Sequence, residues 1–211
     1  MVGDAEAVSQ QPAAAEPTTG VTVAPAKQPF YVKSIAGDRL WQGEILENLP
    51  QARLTLASVE NEELVVETDS HLFVVVLSQD CDLESDFKEN ASGGAVLPNV
   101  LFCDVFEAEQ LRSKVKDEQN LGSRDWRLIK ENKNERFQFL HAVKPEEDSK
   151  AGGLPELAID FRLYFTVRTD EVYRRMGHST GRRCRLSTPY VEHLADRFSY
   201  YLARVALPED H

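Results

Sequence analysis

The stretch Leu72-Phe73-Val74-Val75-Val76-Leu77 runs straight into Ser78-Gln79-Asp80-Cys81-Asp82-Leu83. Six consecutive apolar residues, three of them β-branched, predict a strand buried on both faces. The polar cluster behind it is then held rigidly by the core. Asp80 and Asp82 are expected to close an Asx-type turn there, with Cys81 as a small buried residue between them.

Upstream of this strand, Arg53-Leu54-Thr55-Leu56-Ala57 alternates as a half-exposed strand and Glu63-Leu64-Val65-Val66-Glu67-Thr68 forms another, before Thr68-Asp69-Ser70 turns the chain. Further back, Phe30-Tyr31-Val32 reads as a short strand, and Leu40 to Leu46 is an apolar element crossed by Gly43 and ended by Asn48-Leu49-Pro50. Downstream, Glu84 to Gly94 is polar and closes on Ser92-Gly93-Gly94, which predicts a loop beside the site.

Val96 to Phe106 follows as a strand, and Glu107 to Glu118 as a short helix on the Leu111/Val115 spacing. Trp126-Arg127-Leu128-Ile129 and Arg136 to Leu140 flank Glu131 to Glu135 as a hairpin connection. Lys144 to Gly153 reads as a charged loop. Leu157, Ile159, Phe161, Leu163 and Phe165 alternate as one face of a strand, and Asp170 to Met176 makes a short helix ended by Gly177 to Gly181.

A last amphipathic helix starts at Thr188-Pro189, carries Val191, Leu194, Phe198, Tyr201, Leu202 and Val205 at helical spacing, and stops before Pro208. Seven or so strands with a few peripheral helices give an α+β fold. The expected form is a curved antiparallel sheet or a small SH3-like barrel, with the C-terminal helix packed on it.

A chain of 211 residues suits one ordinary domain, assigned to residues 29–208. Residues 1–28, rich in Ala, Pro, Gln and Thr, read as a disordered tail rather than a signal peptide. No apolar run reaches the roughly 20 residues of a membrane-spanning helix. Cys81, Cys103 and Cys184 are an odd number in a chain of this size, which argues against a disulfide framework and for a cytoplasmic location.

The net charge of −11 opposes generic nucleic-acid binding. Charge is nevertheless uneven. Nine Arg against five acidic residues between Asp160 and Ala206 give +4 there and −15 elsewhere.

Three constellations could carry chemistry. Cys81 is a candidate nucleophile at the end of a rigid strand, with Asp82 and Asp80 beside it as further candidates. Flanking carboxylates oppose a thiolate, so cysteine catalysis would need a His brought in by the fold, such as His71, His141 or His193. A cation could draw on Cys81, Asp82, Cys103, Asp104 and a His, or on Asp80, Asp82 and Asp86. No C-x-x-C or H-x-x-x-H spacing supports zinc, and neither metal nor cofactor is expected.

Arg174, Arg175, Arg182, Arg183 and Arg185 surround Gly177-His178-Ser179-Thr180-Gly181. They are either a contact for RNA, phosphate or an acidic protein partner, or the neutralisers of this chain's own carboxylates.

Two signatures, Gln42-Gly43-Glu44-Ile45-Leu46 and Ser78-Gln79-Asp80-Cys81-Asp82-Leu83, resemble those of a family of uncharacterised bacterial proteins. That resemblance brings no activity with it. Gly37-Asp38-Arg39-Leu40-Trp41 and Val74-Val75-Val76-Leu77-Ser78 are more faintly similar to the PemK/MazF toxin family, whose fold is an SH3-like barrel. The Arg-Pro of that family is replaced by His71-Leu72, and the spacing of the two strands is longer.

The expectation is therefore a cytoplasmic binding or regulatory module. Its site is centred on Ser78, Gln79, Asp80, Cys81 and Asp82, and the arginine-rich segment is a second contact. The alternative is an enzyme, either a toxin-type metal-independent ribonuclease or a cysteine-dependent hydrolase.

Overall fold

Val74 and Val76 sit in one apolar cluster while Phe73, Val75 and Leu77 sit in another, on the opposite face of the same strand. From Phe73 to Leu77 the apolar run has this cause: both faces of the strand are covered, so neither needs polar residues, whereas Leu72, expected inside, is exposed. The computed structural model describes residues 28–58, 63–90, 96–119, 122–176 and 178–203. The tail assigned to residues 1–28 falls outside these apart from Gln28, as do Ser92, Gly93, Gly94, Gly177 and Val205.

Among the described residues the strands are β1 (Tyr31–Lys33), β2 (Glu44–Ser58), β3 (Glu63–Val76), β4 (Asn99–Glu107), β5 (Phe137–Leu140), β6 (Leu157–Arg168) and β7 (Gly181–Leu186). The helices are α1 (Asp80–Asn90), α2 (Ala108–Gln119), α3 (Ser123–Lys130), α4 (Thr169–Arg175) and α5 (Tyr190–Leu202). The strands form one antiparallel sheet in the order β1-β7-β2-β3-β4-β6-β5. The fold is thus α+β.

The SH3-like barrel offered as the second form of the fold is not made, because β1 and β5 are the two edges of an open sheet. At the β5 end, Leu111 and Val115 of α2 and Trp126 and Ile129 of α3 pack with Phe137, Phe139 and Ala158. A helix pair, not a strand, covers the region where closure would occur.

Each face of the sheet has its own cover. Leu194 and Phe198 of α5 close over Phe73, Val75, Ile159 and Phe161. On the other face Leu83 of α1 and Val172 of α4 close over Leu46, Val74, Val76 and Phe102. Full burial of each large aliphatic side chain contributes about 1.5–3 kcal/mol.

Four local expectations need correction. Glu84 to Gly94 was expected as a loop, yet residues 80–90 are helical. Leu83 and Asp86, three apart, form the buried face, and the first-turn acids Asp80 and Asp82 suit the helix dipole. The Asx-type turn is therefore the first turn of α1.

Trp126 to Ile129 belongs to α3 rather than to a hairpin strand. Trp126 and Ile129 are buried three residues apart, and Gly122 N–H donates to Asp125 Oδ2 at 3.0 Å. The turn expected at Thr68-Asp69-Ser70 is absent, and β3 runs straight through it.

The alternation in β6 changes phase. Cys103 pairs with Tyr164 but Val105 pairs with Ile159, so two steps along β4 match five along β6. That odd surplus turns Phe165 to the α4 face while Ile159 and Phe161 face α5.

Beyond Leu49 and His71, β2 and β3 leave the sheet as a two-stranded arm. β2 meets β7 only over Glu44–Glu47, and β3 meets β4 only over Phe73–Val76. Leu54 lies opposite Val66 and Leu56 opposite Leu64, and all four are exposed.

Candidate functional site

The end of β3 and the start of α1 open onto a cleft of about 770 Å³. Ser78, Gln79, Asp80, Cys81 and Asp82, all five candidates of that stretch, line it together. Its floor comes from Leu101 and Thr166 on the sheet, and its far wall from Phe198, Ser199 and Leu202 of α5. Ser78 is spoken for, since its Oγ accepts the Leu101 N–H at 2.8 Å. Leu77 N–H donates to the Leu101 carbonyl at the same distance, so the bend is pinned to β4 from both sides.

The other signature holds this bend from the opposite side. Gln42 N–H donates to Asp80 Oδ1 at 2.9 Å, and its side-chain Nε2 donates to the Leu77 carbonyl at 3.1 Å. Gly43 N–H donates to the Val76 carbonyl at 2.9 Å, and the Gly43 carbonyl accepts the Leu186 N–H at 3.1 Å. With φ of +74°, Gly43 takes a conformation open to glycine, and a Cβ there would meet Val191 and Leu186 at 3.1–3.2 Å. The two signatures meet in space at the mouth of the cleft, a convergence that sequence spacing could not reveal.

Arg39 completes the mouth. Its Nη1 donates to Asp80 Oδ1 at 3.1 Å, and its guanidinium stacks on the Trp41 ring with 3.5 Å to the centroid. Arg185 covers the other face of the same ring at 3.9 Å. Trp41 is therefore held between two guanidinium groups, with its Nε1–H donating to Asp38 Oδ2 at 3.0 Å. Arg39 and Trp41 were not among the site candidates; their role depends on a contact between residues 41 apart in the chain.

Cys81 is exposed, not buried as expected, because the first turn of α1 presents it to the cleft rim. Its thiol contacts Gln79 Oε1 at 3.7 Å and Asp82 Oδ1 at 3.6 Å. The histidines considered as its partners are engaged elsewhere or face solvent. His71 contacts Asp104 at 2.6 Å, His141 packs edge-on against Phe30 and Phe139, and His193 is exposed on α5.

The cation sets also disperse. Asp86 is buried and its Oδ1 accepts the N–H groups of Val96 and Leu97, while Cys103 is buried against the Asp160 carbonyl. Among the described residues no group of three His, Cys, Asp or Glu is placed to hold a metal ion.

The arginine segment does not form one surface. Arg182 and Arg183 lie on β7, which runs between β1 and β2, and both are buried in ion pairs. Arg182 contacts Glu44 at 2.8 Å. Arg183 contacts Glu47 at 2.7 Å and holds Asp148 with Nε and Nη2 at 2.9 and 2.7 Å. Lys150 adds a further contact to Glu47.

The Arg183 guanidinium, with the N–H groups of Lys150 and Gly152, pulls the Asp148 carboxyl down to about 2. Burial pushes the Glu44 carboxyl above its ordinary range in spite of Arg182. On α4, Arg174 pairs with Asp170 and Glu171, and Arg175 with Glu171. Four of the five arginines thus neutralise carboxylates of this chain, and the fifth, Arg185, stacks on Trp41.

No family model, no curated protein and no solved structure matches this chain. No helix among the described residues is long and apolar enough to cross a membrane.

Proposed function

We propose that the protein is a binding or regulatory module whose ligand occupies the cleft between the start of α1 and α5. The observation that carries this reading is the meeting of Gln42 and Asp80, which braces five adjacent polar residues around an open cavity of small-molecule or side-chain size. A cysteine hydrolase would need a base within reach of Sγ. The polar contacts of this sulfur are two oxygen acceptors, which favours binding over cysteine chemistry.

The lining also supports one class of ligand. Asp82 supplies negative charge, Asp80 being paired with Arg39 at the mouth, and Leu77, Leu101, Phe198 and Leu202 supply apolar surface. That combination suits a protein segment presenting an apolar side chain beside a basic one, not RNA or phosphate. The arginine segment contributes Arg185, through the Trp41 stack behind the cleft mouth.

Cys81 makes the test direct. Disulfide capture with a set of thiol-bearing fragments should select those joining an apolar group to an ammonium or guanidinium over their carboxylate analogues. Filling the cleft by Ser199→Trp should abolish the selection. Equal capture of anionic fragments, or capture indifferent to Ser199→Trp, would overturn the reading.

A further inference from the structure

His71 stands at the root of the β2–β3 arm, directly opposite Leu49, with partners on both ring nitrogens. Nδ1 lies 2.6 Å from Asp104 Oδ1 on β4, and Nε2 lies 3.3 Å from Gln51 Oε1 on β2. The ring stacks on Phe165 of β6, with centroids 4.0 Å apart and planes at 14°. The Asp104 carboxylate accepts hydrogen bonds, so Nδ1 carries a hydrogen.

Gln51 is not free to turn its amide. Its Nε2 donates to the Thr166 carbonyl of β6 at 3.1 Å, and a flipped amide would set oxygen against oxygen there. Gln51 therefore offers its oxygen to His71, and Nε2 of the ring must donate as well. A neutral imidazole has one N–H, whereas these surroundings require two.

We propose that His71 is an imidazolium in the folded protein and that this cation latches the root of the arm to the rest of the sheet. One ring then ties β3 to β4 through Asp104 and to β2 through Gln51, which is itself anchored on β6.

The other charged groups along this face of the arm are Asp69, opposite Gln51, and the pair Arg53 and Glu67. Arg53 contacts Glu67 at 3.1 Å and Asp69 at 3.5 Å, so those charges are matched to one another. Asp104 is the acidic group in contact with the ring. Removing the Nε2 proton turns a donor into a lone pair facing the Gln51 oxygen.

The test is nitrogen NMR of protein labelled with ¹⁵N-histidine, joined to hydrogen exchange. At pH 7 the folded wild type should show both ring nitrogens of His71 in the protonated range, each with a resolved N–H. In Asp104→Asn one of the two protons should be lost, and the amides of Gln51 and His71 should exchange about tenfold faster or more, the scale set by a charged hydrogen bond.

A single protonated nitrogen in the wild type would overturn the proposal. So would a doubly protonated ring whose loss in Asp104→Asn leaves both amides unchanged. Should Asp104→Asn fold poorly, Gln51→Ala removes the other partner and should accelerate the His71 amide by a similar factor; an unaltered rate there also counts against the latch.

Discussion

The backbone N–H of Gln42 donates to Asp80 Oδ1 across 38 residues of chain, and the Arg39 guanidinium reaches the same oxygen at 3.1 Å. One carboxylate therefore joins the loop before β2 to the start of α1. Asp80→Ala should cost about 1–2 kcal/mol, the low end for charge-assisted hydrogen bonds because the side chain is partly exposed. Asp80→Asn, which keeps an acceptor, should lose less. Urea unfolding measures both, and an unchanged midpoint in Asp80→Ala would remove the brace from the description of the cleft.

Arg183 and Arg174 look alike in sequence but are held in opposite settings. Arg183→Ala leaves Glu47 and Asp148 buried without their guanidinium and should destabilise by about 3–5 kcal/mol. Arg174→Ala removes exposed pairs on α4 and should cost under about 1 kcal/mol. Denaturant midpoints of the two variants that coincide would contradict the burial assigned to β7.

Acid should weaken the fold in a defined window. The Asp148 carboxyl, held by Arg183, titrates at about 2 in the folded chain against 3.8 for a free Asp. A depressed folded value stabilises above the free value, so this contribution is complete above about pH 4 and is lost as pH falls through about 2. It amounts to about 2 kcal/mol. Stability followed by circular dichroism between pH 5 and pH 2 should fall more steeply in the wild type than in Asp148→Asn. Parallel curves would refute the assignment.

The three thiols should separate cleanly. Cys81 is exposed, whereas Cys103 and Cys184 are buried and burial pushes both thiols well up. A colorimetric thiol reagent should therefore titrate one group in the native protein and three in guanidinium. Labelling of Cys103 or Cys184 at the native rate of Cys81 would show that the core is open.

Gly43→Ala tests the close packing behind the cleft. Positive φ together with contacts at 3.1–3.2 Å to Val191 and Leu186 should cost about 1–3 kcal/mol. Because Val191 lies in the first turn of α5, the near-ultraviolet signal of Tyr190 and Tyr201 should change as well. A neutral substitution would mean that α5 can shift to accept the methyl group.

Where one residue pattern admits one structure, the sequence was legible. The apolar run 73–77, the Leu111/Val115 helix and the Leu194/Phe198 helix each have a single way to bury their side chains, and each is present. The gathering of Ser78 to Asp82 around one cavity follows from their adjacency at the end of such a strand.

Polar helices were harder to see. In α1 the buried positions are Leu83 and Asp86, and an aspartate at a core position hides the helical period. Neutralisation of the chain's own carboxylates was one of two readings of the arginines, but the partners could not be assigned, because Glu44 and Glu47 lie more than 130 residues from Arg182 and Arg183. A surplus of three residues in β6 shifts the phase of a strand whose alternation reads as perfect. Local pattern carries no trace of a bulge enforced by its neighbour.

The place of β7 in the sheet governs how the chain can be assembled. β1 has β7 as its strand partner, and β7 brings the guanidinium groups that Glu44 and Glu47 require. During synthesis, the first strand must wait for residues 181–186 to leave the ribosome before it can be paired, and until then Glu44 and Glu47 of the nascent core lack their guanidinium partners. A fragment ending short of Arg182 carries that deficit permanently, so the molecule cannot be divided into an autonomous front half and a dispensable back half.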